Sequence, residues 1–240
     1  MSAFAKRKLG WNHDLNRPLV RLGLRDFIFR DKFMNKKLKL DIDAAMKNDP
    51  AARTRLEVRL TYSGIKALIA YRRANWFYNR GFKLIARIIS QNAKKKTGIE
   101  IHPAATIAPG VFIDHGEGVV IGETAVVETG VVIYQGVTLG GTGKDKGKKR
   151  HPTIKRGCVI SAGAKVLGGI TVNEYCTIGA SSVVLQDVPA YSTVVGIPGR
   201  VIKQNGKKIP NLEQDKRDPV LDEINALKKR IEELELKVKQ

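Results

Sequence analysis

Cysteine is scarce, with 2 residues in a chain of 240, so a disulfide framework is excluded. No run approaches the roughly 18 consecutive apolar residues of a membrane-spanning helix. The opening MSAFAKRKLGWNHDLNRPL lacks the apolar core of a secretory signal. These absences point to a cytoplasmic protein. Acidic residues are scarce only in the first part. Residues 1–97 carry 24 basic and 7 acidic side chains, net +17, whereas residues 98–240 carry 19 and 16, within a total of +20. A basic segment of this kind can attract nucleic acid, anionic lipid or a polyanionic metabolite, but it also serves as a solvated surface. The solvated surface is the expectation, with neither nucleic acid nor membrane as a partner.

Residues 1–37 mix Lys and Arg with apolar positions that keep no clean period, and they read as a basic arm. From Leu38 to residue 97, apolar residues recur at three- and four-residue spacings, broken at Asp49-Pro50, Ser63-Gly64 and Gly81. This predicts three or four short helices. Tyr71, Trp76, Phe77 and Tyr78 resemble a stacking stripe for bases, yet aromatic residues in a helical segment more often fill a core, which is the reading taken.

After Thr97 the period changes. Ile101, Ile107 and Ile113 are followed by Ile121, Val127, Ile133 and Leu139, then by Ile154, Ile160, Val166, Val172, Ile178 and Val184, with a step of six inside each run. Six residues make one and two-thirds helical turns, so no helix face can hold this pattern, and hairpin strands alternate with period two. The remaining solution is a parallel β-helix, in which each hexapeptide forms one side of a triangular coil and the aliphatic residue points inward. Two interruptions break the register: a step of eight from Ile113 to Ile121, around His115-Gly116-Glu117-Gly118, and a step of fifteen from Leu139 to Ile154, which expels a loop over residues 140–152. The expected fold is therefore α+β: an N-terminal helical region, a left-handed parallel β-helix over residues 98–205, and a C-terminal coiled-coil helix over residues 218–240. The last rests on Val220, Ile224, Leu227, Ile231, Leu234 and Val238, a seam of under three heptads.

Insertions in solenoids collect where function lies, which singles out His115. Asp114 precedes it, and Glu100, fifteen residues earlier, is expected beside it in the adjacent coil; Glu123 is also near in sequence. A carboxylate next to imidazole fixes its tautomer and stabilises the imidazolium, which suits a base for a hydroxyl proton. Zinc is a weaker reading, because His102, His115 and His151 are 13 and 36 residues apart without a close pair. Cys158 and Cys176, 18 residues apart, fall at inward positions one coil apart and read as packing residues. The Gly140–Gly147 loop contains neither GxxxxGK[ST] nor GxGxxG, so a phosphate loop is not indicated.

The run IEIHPAATIAPGVFIDHGEGVVIGETAVVETGVVIYQGVTLGGTGKDKGKKRHPTIKRGCVISAGAKVLGG, with the preceding NDPAARTRLEVRLTYSGIKALIAYR, closely resembles the serine O-acetyltransferases of the hexapeptide-repeat acyltransferase family. The resemblance implies acetyl transfer from acetyl-CoA to L-serine for cysteine synthesis, by direct transfer and without a metal. It places the general base on His115 and its orienting carboxylate on Glu100, where many members have Asp. It places the serine-binding positions on Asp49, Pro50, Asp114, Arg150 and His151. It places close approach to the pantetheine on Gly141, Thr142, Ala162 and Ala180, and Lys144, Lys146 and Lys148 can attract the cofactor's phosphates. It implies a homotrimer with acetyl-CoA between neighbouring subunits. The segment before Leu38 does not resemble the long helical domain that joins two trimers in larger members, which leaves a hexamer open. The chain ends in Gln240 rather than the Ile that engages cysteine synthase, so that complex is not expected. Two other readings keep the fold: acetylation of a different hydroxyl or amine, and a trimeric scaffold with a basic binding arm.

Overall fold

The computed structural model describes residues 24–143, 148–208, 224, 226–231, 233 and 234, with residues 24–34 as backbone only. Residues 1–23 of the basic arm, Lys144 and Lys146 of the loop, and residues 218–223, 225, 232 and 235–240 of the C-terminal segment, with the seam positions Val220 and Val238, lie outside the described residues.

Four helices come first: α1 (Leu24–Asn48), α2 (Arg55–Thr61), α3 (Ser63–Asn79) and α4 (Lys83–Thr97). Helix α1 begins at Leu24, well ahead of Leu38, where the apolar period starts. The period marks only the part of a helix that buries a face. Among the α1 residues whose side chains are described, the buried ones are Asp41, Ile42 and Ala45, near the C-terminal end. Pro50 cannot continue α1, and α2 restarts after Thr54, whose hydroxyl accepts the Glu57 N–H at 3.2 Å. Helix α4 stops at Gly98, which adopts a left-handed φ of 71°.

The hexapeptides then build a three-sided parallel β-helix. Sheet A stacks Glu100–Ile101, Val120–Ile121, Thr138–Gly140, Lys165–Leu167 and Val183–Val184. Sheet B stacks Thr106–Ile107, Val126–Val127, Thr153–Ile154 and Thr171–Val172. Sheet C stacks Phe112–Ile113, Val132–Ile133, Val159–Ile160 and Thr177–Ile178, and an antiparallel hairpin of Ser192–Val195, Arg200–Gln204 and Lys207–Lys208 closes its end. All thirteen aliphatic positions of the six-residue period are buried, and the second inward positions Ala105, Val111, Ala125, Val131, Val137, Cys158, Ala164 and Ser182 join them. Each such aliphatic side chain removed from water contributes about 1.5–3 kcal/mol, so the period itself is the core.

The helices are fastened to the first coils by buried polar groups. Tyr71 donates its hydroxyl to the Ala105 carbonyl at 2.6 Å and accepts the Ile107 N–H at 3.1 Å, which confirms it as a core aromatic. Trp76, Phe77 and Tyr78 are half-buried. Ser90 donates to the Ile101 carbonyl at 2.6 Å. Asp41 accepts the Gly110 N–H at 2.8 Å and pairs with Arg72 at 2.6 Å. At the start of α3, Gly64 lies so close to the Ile113 backbone that any β-carbon there would overlap the Ile113 carbonyl. This contact sets the junction of α2 and α3 against the corner that carries His115.

Candidate active site

The corner between sheets C and A takes the two-residue insertion. The Asp114 N–H joins the ladder by donating to the Ile133 carbonyl at 2.8 Å, and the chain then leaves the coil. His115 adopts φ 56°, the left-handed region that side chains with a β-carbon rarely occupy. Such backbone is sustained by its surroundings: Gly116 is also left-handed, and its added β-carbon would strike Ile99. The imidazole stands 73% exposed, with Nε2 at 4.0 Å from the Asp114 carboxylate, a separation too long for a hydrogen bond.

Facing His115 is a cleft of about 320 Å³ lined by Asp49, Tyr62, Ser63, Gly64, Ile113, Asp114 and His115. Asp49 follows the end of α1, where its Oδ1 accepts the Ala51 N–H at 2.7 Å and its Oδ2 accepts the Tyr62 hydroxyl. The Tyr62 hydrogen bond, then that of Ala51, holds the Asp49 carboxyl below the usual carboxylate range, and the same bond pushes the Tyr62 phenol up to about 12. Pro50 is exposed at the turn.

The corner between sheets A and B carries the second group. The loop over residues 140–152 returns here, and Pro152 re-enters the ladder by accepting the Val126 N–H at 3.0 Å. His151 is buried; its Nδ1 accepts the Thr124 N–H at 3.1 Å and meets the Thr124 hydroxyl at 2.9 Å. That hydroxyl also accepts the N–H groups of Arg150 and His151 at 3.1 and 3.0 Å, so its own proton points to Nδ1. His151 is therefore the Nε2–H tautomer. Burial, then the Arg150 charge, lowers its pKa. Arg150 reaches Glu123 at 3.2 Å through one of its five donors. Neither Thr124 nor Gly122, which makes room for the His151 ring, was singled out by the sequence pattern, although both stand in the quoted IGET run.

Glu100 makes its ion pair with Lys94 of α4 and not with His115. Glu100 pairs with Val120 in the next coil, twenty residues on rather than eighteen, because the insertion lengthens this turn. Fifteen residues therefore fall short of a full coil, and His115 stays back at the preceding corner. The Glu100 carboxylate lies on the outer side of sheet A, paired with Lys94 of α4 at 2.6 Å; that bond holds its pKa below the usual range.

The cofactor positions divide in the same way. Ala162 and Ala180 sit one above the other in the column of the corner between sheets C and A, because the N–H of Ser181 donates to Ala162 as that of Gly163 does to Gln135 and that of Gly136 to Glu117. Gly141 and Thr142 are at the other corner, where Gly141 packs against the Arg150 carbonyl and His151. Among the described residues, no three His, Cys, Asp or Glu side chains converge as a metal-ligand set.

The family model "Bacterial transferase hexapeptide (six repeats)" matches residues 151–186. Serine acetyltransferase from Bacillus subtilis (strain 168) is 59% identical over 199 residues, covering 82% of this chain and 91% of that one. This chain belongs to the serine acetyltransferase family. Its coil superposes on solved structures of the family. Serine acetyltransferase from Vibrio cholerae gives a TM-score of 0.72 at 42% identity, covering 81% of this chain and 75% of that one. The enzyme from Brucella abortus strain S19, solved with coenzyme A, gives 0.72 at 42% identity, covering 76% and 72%. The β-helix of this family member is the left-handed one that the hexapeptide period predicts.

Proposed function

We propose that this family member transfers the acetyl group of acetyl-CoA directly to the serine hydroxyl, with His115 as general base, at a site completed by two copies of the chain in a trimer. The imidazole takes the hydroxyl proton as the serine oxygen attacks the thioester carbonyl. The carbon–sulfur bond then breaks, and the imidazolium returns the proton to the leaving CoA thiolate. General-base assistance of this kind contributes about 10²- to 10⁴-fold. Asp49 and Asp114 receive the serine ammonium, with Pro50 shaping the turn behind it. Arg150 receives the carboxylate through its forked donors, and the His151 Nε2–H assists. Glu100 serves His115 as its orienting carboxylate. Acetyl-CoA runs along the column of Ala162 and Ala180 on one copy, against Gly141 and Thr142 on the next; that the Brucella abortus relative was solved with coenzyme A supports the cofactor itself.

The observation that carries this reading is the division itself. His115, Asp114 and Asp49 meet at one corner of the coil, whereas Arg150 and His151 stand at another, with sheet A between them. Three copies with sheet A turned to a common axis bring the second corner of each to the first corner of the next. The seam residues Ile224, Leu227, Ile231 and Leu234 are all exposed in the single chain, which suits a C-terminal coil shared by the same three copies. Among the described residues no helix is long and apolar enough to cross a membrane.

Mixing two inactive variants tests the assembly. His115→Ala is expected to lower turnover by about a hundredfold or more, and Arg150→Ala to raise the serine KM steeply. Co-expressed in equal amounts, the two should restore roughly a quarter of wild-type activity, since random trimers pair an intact first corner with an intact second corner at one interface in four. A mixture that stays inactive would place the site within one chain.

A further inference from the structure

We infer that Tyr62 is a positioning residue for the acceptor: its hydroxyl holds the Asp49 carboxylate in the one orientation that receives the serine ammonium beside His115. The inference rests on the reading that Asp49 binds that ammonium.

Tyr62 is the residue shared by two helices. Its N–H closes α2 on the Val58 carbonyl at 3.2 Å, and its own carbonyl accepts the first N–H bond of α3, from Lys66, at 3.1 Å. The tight approach of Gly64 to Ile113 fixes that junction against the His115 corner. The phenol therefore reaches Asp49 from a backbone that cannot swing. Asp49 has one donor on each oxygen, Tyr62 on Oδ2 and the Ala51 N–H on Oδ1, so the carboxylate cannot rotate about its last bond without breaking one of them. Asp49 lines the cleft together with Asp114 and His115. A carboxylate on an exposed turn is otherwise free to rotate, and ordering it during binding would weaken affinity. The bond also lowers the Asp49 carboxyl and pushes the Tyr62 phenol up to about 12, which favours the phenol as donor and the carboxylate as acceptor. Tyr62 is given no contact with a reacting atom, so its effect is confined to the acceptor's binding.

The test is steady-state kinetics on the full-length assembled enzyme. Tyr62→Phe keeps the ring and removes only the hydroxyl. The serine KM is expected to rise about five- to tenfold, with kcat within about twofold and the acetyl-CoA KM unchanged. Inhibition by 3-hydroxypropionate, which has the hydroxyl and carboxylate of serine but no ammonium, should be unaltered. In an Asp49→Asn background, which by itself raises the serine KM, Tyr62→Phe should add nothing. If Asp49→Asn raises the serine KM and Tyr62→Phe does not, Tyr62 has no positioning role and the reading of Asp49 stands. If Tyr62→Phe weakens 3-hydroxypropionate and serine equally, the effect is a general loosening of the cleft, which also overturns the inference. If Asp49→Asn leaves the serine KM unchanged, the assignment of Asp49 fails and the inference falls with it.

Discussion

Gly122 and His151 occupy adjoining space so closely that a β-carbon on Gly122 would overlap Cδ2 and Nε2 of the His151 ring. The ring cannot retreat, because Thr124 holds its Nδ1 through both backbone and hydroxyl. Gly122→Ala should therefore expel the imidazole from its seat and lower kcat/KM for serine by tenfold or more, with a stability loss of about 1–3 kcal/mol from overpacking. Kinetics and thermal melting together check this, since the loss of activity should persist well below the melting transition.

The buried pair of Asp41 and Arg72 gives stability a definite pH dependence. Asp41 is fully buried, and burial raises its pKa to about 6 from 3.8 against the opposing pull of Arg72. A carboxyl with a raised folded-state pKa binds more protons when folded than unfolded between those two values, so its contribution to stability declines as pH rises from 3.8 to about 6. Arg72→Met removes the pull and raises the pKa further. Its cost should be about 3–5 kcal/mol at pH 8, where Asp41 is left charged and unpaired, and smaller at pH 5, where it can take up a proton. Melting curves of the wild type and the variant at the two pH values measure the difference.

Cys158 and Cys176 are both fully buried on neighbouring coils, with thiols bonded to the Asn173 and Pro189 carbonyls at 2.9 Å each. Contact with the Cys176 thiol, then burial, pushes the Cys158 thiol well up, and the same contact pulls the Cys176 thiol down to about 7, so it is burial that shields Cys176. Both should resist alkylation in the native protein and react after denaturation. Cys158→Ala should lower the melting temperature while leaving kcat/KM within about threefold. Rapid native labelling with loss of activity would contradict the inward register.

Deleting residues 218–240 should lower thermal stability yet leave a trimer with activity. The exposed seam offers only Ile224, Leu227, Ile231 and Leu234 among the described residues, each contributing about 1.5–3 kcal/mol when covered. In the proposed trimer, stacked faces of the coil would bury far more. Light scattering on the truncated protein checks this, and a monomer would mean that the short coil, rather than the β-helix, holds the copies together.

The architecture was legible because its core is periodic along the chain. Ile101 to Val184 announce the coil through a step of six that no helix or hairpin can hold, and every one of them is buried. The break in that step also located the His115 corner and the loop that returns at Arg150 and His151. These are local properties: each inward residue is specified by the few residues around it, so spacing alone reports them. The placement of Glu100 was not of that kind. Its neighbour in the next coil depends on the summed length of a whole turn, which the two-residue insertion stretches to twenty residues, at Val120. Tyr62 was invisible for the same reason, since its bond to Asp49 exists only once α3 has docked against Ile113. Gly122 reads as one glycine among 23 until the His151 ring, 29 residues later, fills the space beside it. The residue types of the chemistry are set by the sequence, but which of them share a corner is decided by tertiary structure, because a corner collects residues from different coils and from helices outside the repeat.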